Sequence, residues 1–329
     1  MRTHSALGSS DHHKPQRPLA IGRLPGWTLN AKTSPEPLSN LAAPAGRPRL
    51  MGVLNVTPDS FSDGGRYLDA DAAIAHGLEM VDEGAAIVDV GGESTRPGAA
   101  PVPQQQELAR VLPVVGGLAG ARAEISIDTR KSGVAAASIA AGASIVNDVS
   151  ALRFDPELAG VVASSGACCC LMHMLGEPAT MQREPRYDDV VDEVRAFLEQ
   201  RMSFAIAEGV AEDRLLLDPG IGFGKTDAHN LELLRRLPEL ATLGRPLVIG
   251  TSRKGFLGRV AAKAAGASEP VAVDRRLPGT IATNVLALAG GASVFRVHDV
   301  APVRDALALA AATLGRRWTN TSTSAPTTI

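Results

Sequence analysis

The sequence predicts an α/β fold, a (β/α)8 TIM barrel in a single domain. Short apolar runs alternate with longer helical segments, eight such strand and helix units can be counted, and the runs end on polar residues just before a loop. Eight units over roughly 265 residues match the length that such a barrel needs. A doubly wound open sheet is the alternative, but it accounts less well for chemistry-bearing residues at all eight strand ends.

Strands are expected at 51–56, 86–90, 125–128, 144–148, 168–174, 215–218, 247–250 and 293–297, where apolar runs are short and bounded by turn residues. Helices are expected from Asp71, from Gln104, over 132–141, 156–164, 187–208, 228–237, 256–265 and 279–289, and after Pro302. The domain therefore spans 49–315. Residues 1–48 hold many Pro, Ser, His and Arg residues with no sustained period and are expected to form a disordered extension, in which His12 and His13 are a solvated pair. The Thr/Ser-rich stretch 316–329 is expected to be a flexible tail.

With 329 residues and 45% apolar composition the chain can bury a large core. Its formal net charge of -2 gives no overall field for nucleic acid or a membrane surface. The most apolar window, 133–146, is too short to span a bilayer. The first residues lack an apolar core with a cleavage site, so no secretory signal is expected. All three cysteines are adjacent, Cys168, Cys169 and Cys170. On a strand they alternate faces, which suits core packing and neither a metal cage nor a disulfide. That usage fits a reducing compartment, and the cytoplasm is the expected location.

Strand ends of such a barrel share one face, so Asp128, Asn147 and Asp218 should meet Lys254, Arg296 and His298 in one mouth. Carboxylates and an amide suit the donor-rich edge of a guanidine-like pyrimidine, because a carboxylate accepts two parallel hydrogen bonds. Arg296, His298, Arg96 and Asn55 suit a phosphate or diphosphate. The long loops 57–65 and 91–98 are candidate lids.

The stretch Asp218-Pro219-Gly220-Ile221-Gly222-Phe223-Gly224-Lys225 is neither a P-loop nor a dinucleotide fingerprint, since Pro219 and Lys225 stand where those motifs need glycine. Its glycines are expected to let backbone pass close to a ligand or turn sharply. Asp59 and Asp148 could serve either as caps of the following helix or as site residues. His173 reads as a core histidine, and Lys225 as a partner for a carboxylate at the rim. Arg253 is open between a rim salt bridge and an anion contact; His76 and His229 read as solvated.

Eight stretches, NVTPDSFSDGG at 55–65, DVGGESTRPGA at 89–99, IDT at 127–129, NDVS at 147–150, LMHM at 171–174, DPGIGFGKT at 218–226, SRKGF at 252–256 and RVHDV at 296–300, resemble the motifs of the dihydropteroate synthase family in that family's order. The resemblance covers the chain from about Leu50 to Leu314. It implies condensation of 6-hydroxymethyl-7,8-dihydropterin diphosphate with p-aminobenzoate to give 7,8-dihydropteroate and diphosphate. It also implies that Asp128, Asn147, Asp218 and Lys254 hold the pterin, with Met172 and Phe223 as apolar surround. Asn55 would ligate Mg2+ at the diphosphate, whose oxygens Arg96, Arg296 and His298 would take. Phe61, Ser62, Thr95 and Pro97 would help close the p-aminobenzoate site, and Asp63 would join Asp128, Lys254, Arg296 and His298 as a catalytic group.

A homodimer through late helices is implied too. Gly255 stands where many family members have serine, which removes one hydroxyl contact to the p-aminobenzoate carboxylate and leaves backbone N-H groups of the next helix to replace it. A folate/corrinoid methyltransferase would share the barrel and pterin pocket without needing the diphosphate cations. A non-catalytic pterin-binding relative would be expected to have degraded loops.

Overall fold

The computed structural model describes residues 48–57, 70–95, 98–178 and 180–316. The expected extension and tail fall almost wholly outside them, as do His12, His13 and Asp59. The strands are β1 (Arg49–Asn55), β2 (Ile87–Gly91), β3 (Glu124–Asp128), β4 (Ile145–Asp148), β5 (Cys168–Met172), β6 (Leu215–Asp218), β7 (Val248–Ile249) and β8 (Val294–Val297). All pair in parallel, in the order β6-β5-β4-β3-β2-β1-β8-β7. A parallel bridge between Leu217 and Leu247 joins β6 to the run leading into β7, so the sheet closes on itself. The (β/α)8 barrel expected from the pattern is the fold observed.

The helices are α1 (Ala70–Asp82), α2 (Gln104–Leu118), α3 (Ser132–Ala141), α4 (Leu158–Ser165), α5 (Val190–Ala207), α6 (Asp227–Arg235), α7 (Leu237–Ala241), α8 (Gly255–Ala264), α9 (Leu277–Ala289) and α10 (Val300–Thr313). Three departures from expectation have local causes. The helix expected over 187–208 begins at Val190, because the Asp189 side chain accepts the Val191 and Asp192 N-H groups and caps it there. The helix expected over 228–237 ends at Arg235, and a separate short helix, α7, follows it with Pro238, which has no N-H for the ladder, in its first turn. Similarly, α10 starts at Val300 and takes Pro302 into its first turn, where no N-H needs a partner.

Side-chain alternation sorts each strand into two faces. Met51, Ile87, Ile145, Cys168, Cys170, Leu216, Val248 and Val294 pack together as an apolar cluster, whereas Cys169, Leu215 and Leu217 join the larger cluster beneath the helices. The cysteines are thus buried, free and on alternate faces, as expected. Two residues further along, the inner face turns polar: Asp89 after Ile87, Asn147 after Ile145, Asp218 after Leu216 and Arg296 after Val294. No helix among the described residues is long and apolar enough to cross a membrane.

Candidate active site

The polar layer is one connected network. Arg296 donates from Nε to Asp89 Oδ2 at 2.6 Å and from Nη2 to Asp128 Oδ2 at 2.8 Å, while Asn147 Nδ2 donates to Asp89 Oδ2 at 3.0 Å. Two carboxylates therefore share one guanidinium inside the barrel. Burial pushes the Asp128 carboxyl up to about 8, opposed by Arg296 and reinforced by Asp89. Burial likewise raises Asp218 above the usual carboxylate range, against Lys254 and the Gly220 N-H. Burial lowers Lys254 to about 8, with Asp218 holding it up. Arg296, although burial works against its charge, is kept firmly protonated by Asp89 and Asp128.

Asp89 was assigned no role from the sequence, yet it anchors this network. It is fully buried, and its Oδ1 has no hydrogen-bond partner among the described residues. The available signal was its two-residue offset from the inward-facing Ile87. Beside Asp128 lies a cavity of about 280 Å3 lined by Thr95, Asp128, Arg130, Val149, Phe154 and Glu177 among others. Met172 and Phe223 pack with Val149, Met174 and Met181, giving an apolar wall next to the carboxyl groups.

Lys254 donates to the Ile221 carbonyl and lies 4.7 Å from the Phe223 ring centroid. His298 Nδ1 meets Ser252 Oγ at 2.9 Å, so the two sides of the β7 and β8 exits are tied together. Between Ser252 and Lys254, Arg253 adopts a left-handed backbone (φ 57). Its N-H is held by Thr280 Oγ1, and its guanidinium makes a two-point salt bridge to Asp299. That settles Arg253 as a rim salt bridge.

Asp148, one residue out of phase with Asn147, faces away from the barrel interior and caps the following turn by accepting the Ser150 and Leu152 N-H groups. His173 is a buried, hydrogen-bonded core residue, as expected, with its pKa pushed down to about 2 by burial and the neighbouring Lys225. Lys225 itself is a correction. Among the described residues it pairs with no rim carboxylate: it is 2% exposed, and its Nζ meets His173 Nδ1 at 2.8 Å and donates to the Phe223 carbonyl at 3.0 Å.

The glycines of the β6 exit do turn sharply, with backbone as the close neighbour of Gly220 and Gly224 and the Lys254 side chain as that of Gly222. Gly220, Gly222 and Gly224 have φ of 67, 86 and 63. A Cβ on Gly220 would collide with the His173 carbonyl, and one on Gly224 would sit 2.5 Å from the Leu175 carbonyl oxygen. Gly224→Ala is therefore expected to lower stability by about 2 kcal/mol or more, read as a fall in denaturant midpoint. An unchanged midpoint would contradict this geometry.

A divalent cation fits the Asn55 end of β1 in a limited sense. The described residues hold no group of three His, Cys, Asp or Glu side chains able to cage a metal. Mg2+ bound with a diphosphate needs few protein donors, because substrate oxygens and waters supply the rest. Gly91 has no side chain, and a Cβ there would lie 3.7 Å from Asn55 Oδ1 and 3.8 Å from Asp128 Oδ2, the oxygen that accepts from Arg296, so the two side chains border the same space. Thr95 is half-buried and lines the cavity beside Asp128. The expected site residues Phe61, Ser62, Asp63, Arg96 and Pro97 lie outside the described residues.

On this parallel barrel, with its inward carboxyl and amide groups and adjoining cations, a family match defines the class, a pterin-binding enzyme. The family described as pterin binding enzyme matches residues 51–298. A dihydropteroate synthase of Mycobacterium leprae is 51% identical over 267 residues, covering 81% of this chain and 93% of that protein. A solved structure of the Xanthomonas albilineans dihydropteroate synthase with 4-aminobenzoic acid is 46% identical with a TM-score of 0.75, covering 82% of this chain and 93% of that one. A second, in complex with 7,8-dihydropteroate, is 43% identical with a TM-score of 0.72 and coverages of 82% and 94%. The chain belongs to the dihydropteroate synthase family of pterin-binding enzymes.

Proposed function

We propose that the site joins 6-hydroxymethyl-7,8-dihydropterin diphosphate to p-aminobenzoate, forming 7,8-dihydropteroate and diphosphate, a transferase step of folate biosynthesis. The observation that carries this reading is the inward set Asp128, Asn147, Asp218 and Lys254 beside Arg296 and His298 in one barrel mouth. Asp218 and Asn147 take the donor-rich edge of the pterin, Lys254 its carbonyl edge, and Met172 and Phe223 its faces. Arg296 and His298 take diphosphate oxygens; among the described residues two of the guanidinium's five N-H groups are engaged, with Asp89 and Asp128, and the others serve as donors. Arg96 would add charge there, Phe61, Ser62, Thr95 and Pro97 would help close the p-aminobenzoate site, and Asp63 would join the catalytic groups.

In this reaction the methylene carbon-oxygen bond breaks with its electron pair leaving on diphosphate. The amine nitrogen then forms the new carbon-nitrogen bond and loses a proton. Ionised Asp128 offsets positive charge on the pterin and methylene, and Arg296 offsets negative charge on the leaving group. Mg2+, held at Asn55 when bound, would supply further neutralisation of the diphosphate. A covalent nucleophile is not required.

Since Asp128 must be ionised and Lys254 charged, kcat/KM should rise toward about pH 8 and fall above it. Lys254→Arg should move the alkaline fall upward. A flat profile between about pH 6 and pH 10 would contradict both assignments. The function itself is tested by chromatographic detection of dihydropteroate from the two substrates with Mg2+; diphosphate release independent of p-aminobenzoate would contradict it.

Exposed Leu286 on α9 and Leu309 on α10 support a homodimer through late helices. Free buried cysteines support the cytoplasm as its compartment.

A further inference from the structure

Four consecutive carbonyls of the glycine loop each accept a hydrogen bond from a side chain. Ile221 O accepts from Lys254 Nζ, Gly222 O from Gln182 Nε2 at 2.5 Å, Phe223 O from Lys225 Nζ at 3.0 Å and Gly224 O from Tyr187 Oη at 2.8 Å. The loop has no helix or strand ladder of its own to satisfy these groups, and three of its residues have left-handed φ. Its shape is thus set by side chains, three reaching in from elsewhere and one, Lys225, from the end of the loop itself.

Two of these donors, Gln182 and Tyr187, come from the connection between β5 and α5, about 40 positions earlier in the chain. Both are supported. Tyr187 packs edge-on against His229, with ring centroids 5.0 Å apart, and Lys225 is fixed by His173, which in turn packs edge-on against Phe197 at 4.8 Å. Asn230 Oδ1 also accepts the Gly222 N-H at 2.7 Å.

From this wiring we infer that Gln182, Tyr187 and Lys225 are positioning residues for the pterin ring. They hold the glycine loop so that Phe223 and Asp218 keep their places, including when Lys254 leaves the Ile221 carbonyl for the ligand. The inference rests on the pterin site proposed above. None of the three touches the reacting atoms.

The test uses the full chain and the variants Gln182→Ala, Tyr187→Phe and Lys225→Met. Gln182 is an exposed side chain, so its removal leaves folding intact, while Tyr187→Phe deletes a single hydroxyl. Calorimetry with pterin alone should show affinity reduced about 3- to 10-fold in Gln182→Ala and Tyr187→Phe, the size expected for one lost hydrogen bond, and more in Lys225→Met. KM for the dihydropterin diphosphate should rise in parallel, and KM for p-aminobenzoate should stay within about twofold. Unchanged pterin affinity in the first two variants, or an equal rise in both KM values, would overturn the inference. A parent chain that binds no pterin would instead overturn the site reading beneath it.

Discussion

Asp218→Asn is expected to lower kcat/KM for the dihydropterin diphosphate by about a thousandfold, or ~4 kcal/mol. An ionised carboxylate accepts two parallel N-H bonds from the pterin edge, whereas asparagine offers one acceptor and sets an NH2 donor against a ligand donor. The loss therefore combines a missing charge-assisted hydrogen bond with an unpaired buried group, and these act together in the same place. Folding should survive. The shape is unchanged, and the side-chain oxygen of asparagine can still accept the Gly220 N-H that Asp218 accepts at 2.7 Å. Steady-state kinetics beside a denaturant melt separate the two effects, and a loss below about tenfold would show that Asp218 does not bind the pterin.

Arg296→Ala should be as severe for activity and should also destabilise the chain. Removing the guanidinium leaves Asp89 and Asp128 inside the barrel without the cation that both contact, a defect worth about 3–5 kcal/mol. The pH dependence has a definite sign. Asp128 is already raised by burial, so folding favours its protonated form; the stability this gives is fully present below its ordinary value of 3.8 and is lost as pH rises through about 8. Arg296 is what holds that carboxyl down, so in the variant its pKa moves up further. The stability gap between parent and variant should accordingly be wider at about pH 9 than at about pH 5, measured as denaturant midpoints. An equal gap at both pH values would mean that the pair is not charged in the parent.

Much of this site was legible because a barrel converts chain order into geometry. Apolar runs ending on Asp128, Asn147, Asp218 and Arg296 were readable as strand ends, and parallel strands put their ends on one face. Alternation adds the rest: Asn147 follows the inward Ile145 by two, and Asp148 by three, so one enters the network and the other caps a turn.

Contacts across the barrel were not legible. Nothing in sequence spacing says that Arg296 meets Asp89, 207 positions away, or that Lys225 finds His173 instead of a carboxylate. Donors from Gln182 and Tyr187 to the glycine loop were equally hidden, Gln182 because its connection has no period and Tyr187 because the expected helix over 187–208 took it in. The end of α6 near Pro238 was local and legible, whereas the short helix α7 that follows was not expected.

The central claim is that pterin and diphosphate occupy separate neighbouring sets of residues in one mouth. Diphosphate release by the purified chain, with dihydropterin diphosphate and Mg2+, with and without p-aminobenzoate, beside Asp218→Asn and Arg296→Ala, tests it most directly. The account predicts release that depends on p-aminobenzoate, yields dihydropteroate in equal amount and collapses in both variants. Release at the parent rate in either variant, or pterin binding without turnover in the parent, would contradict it.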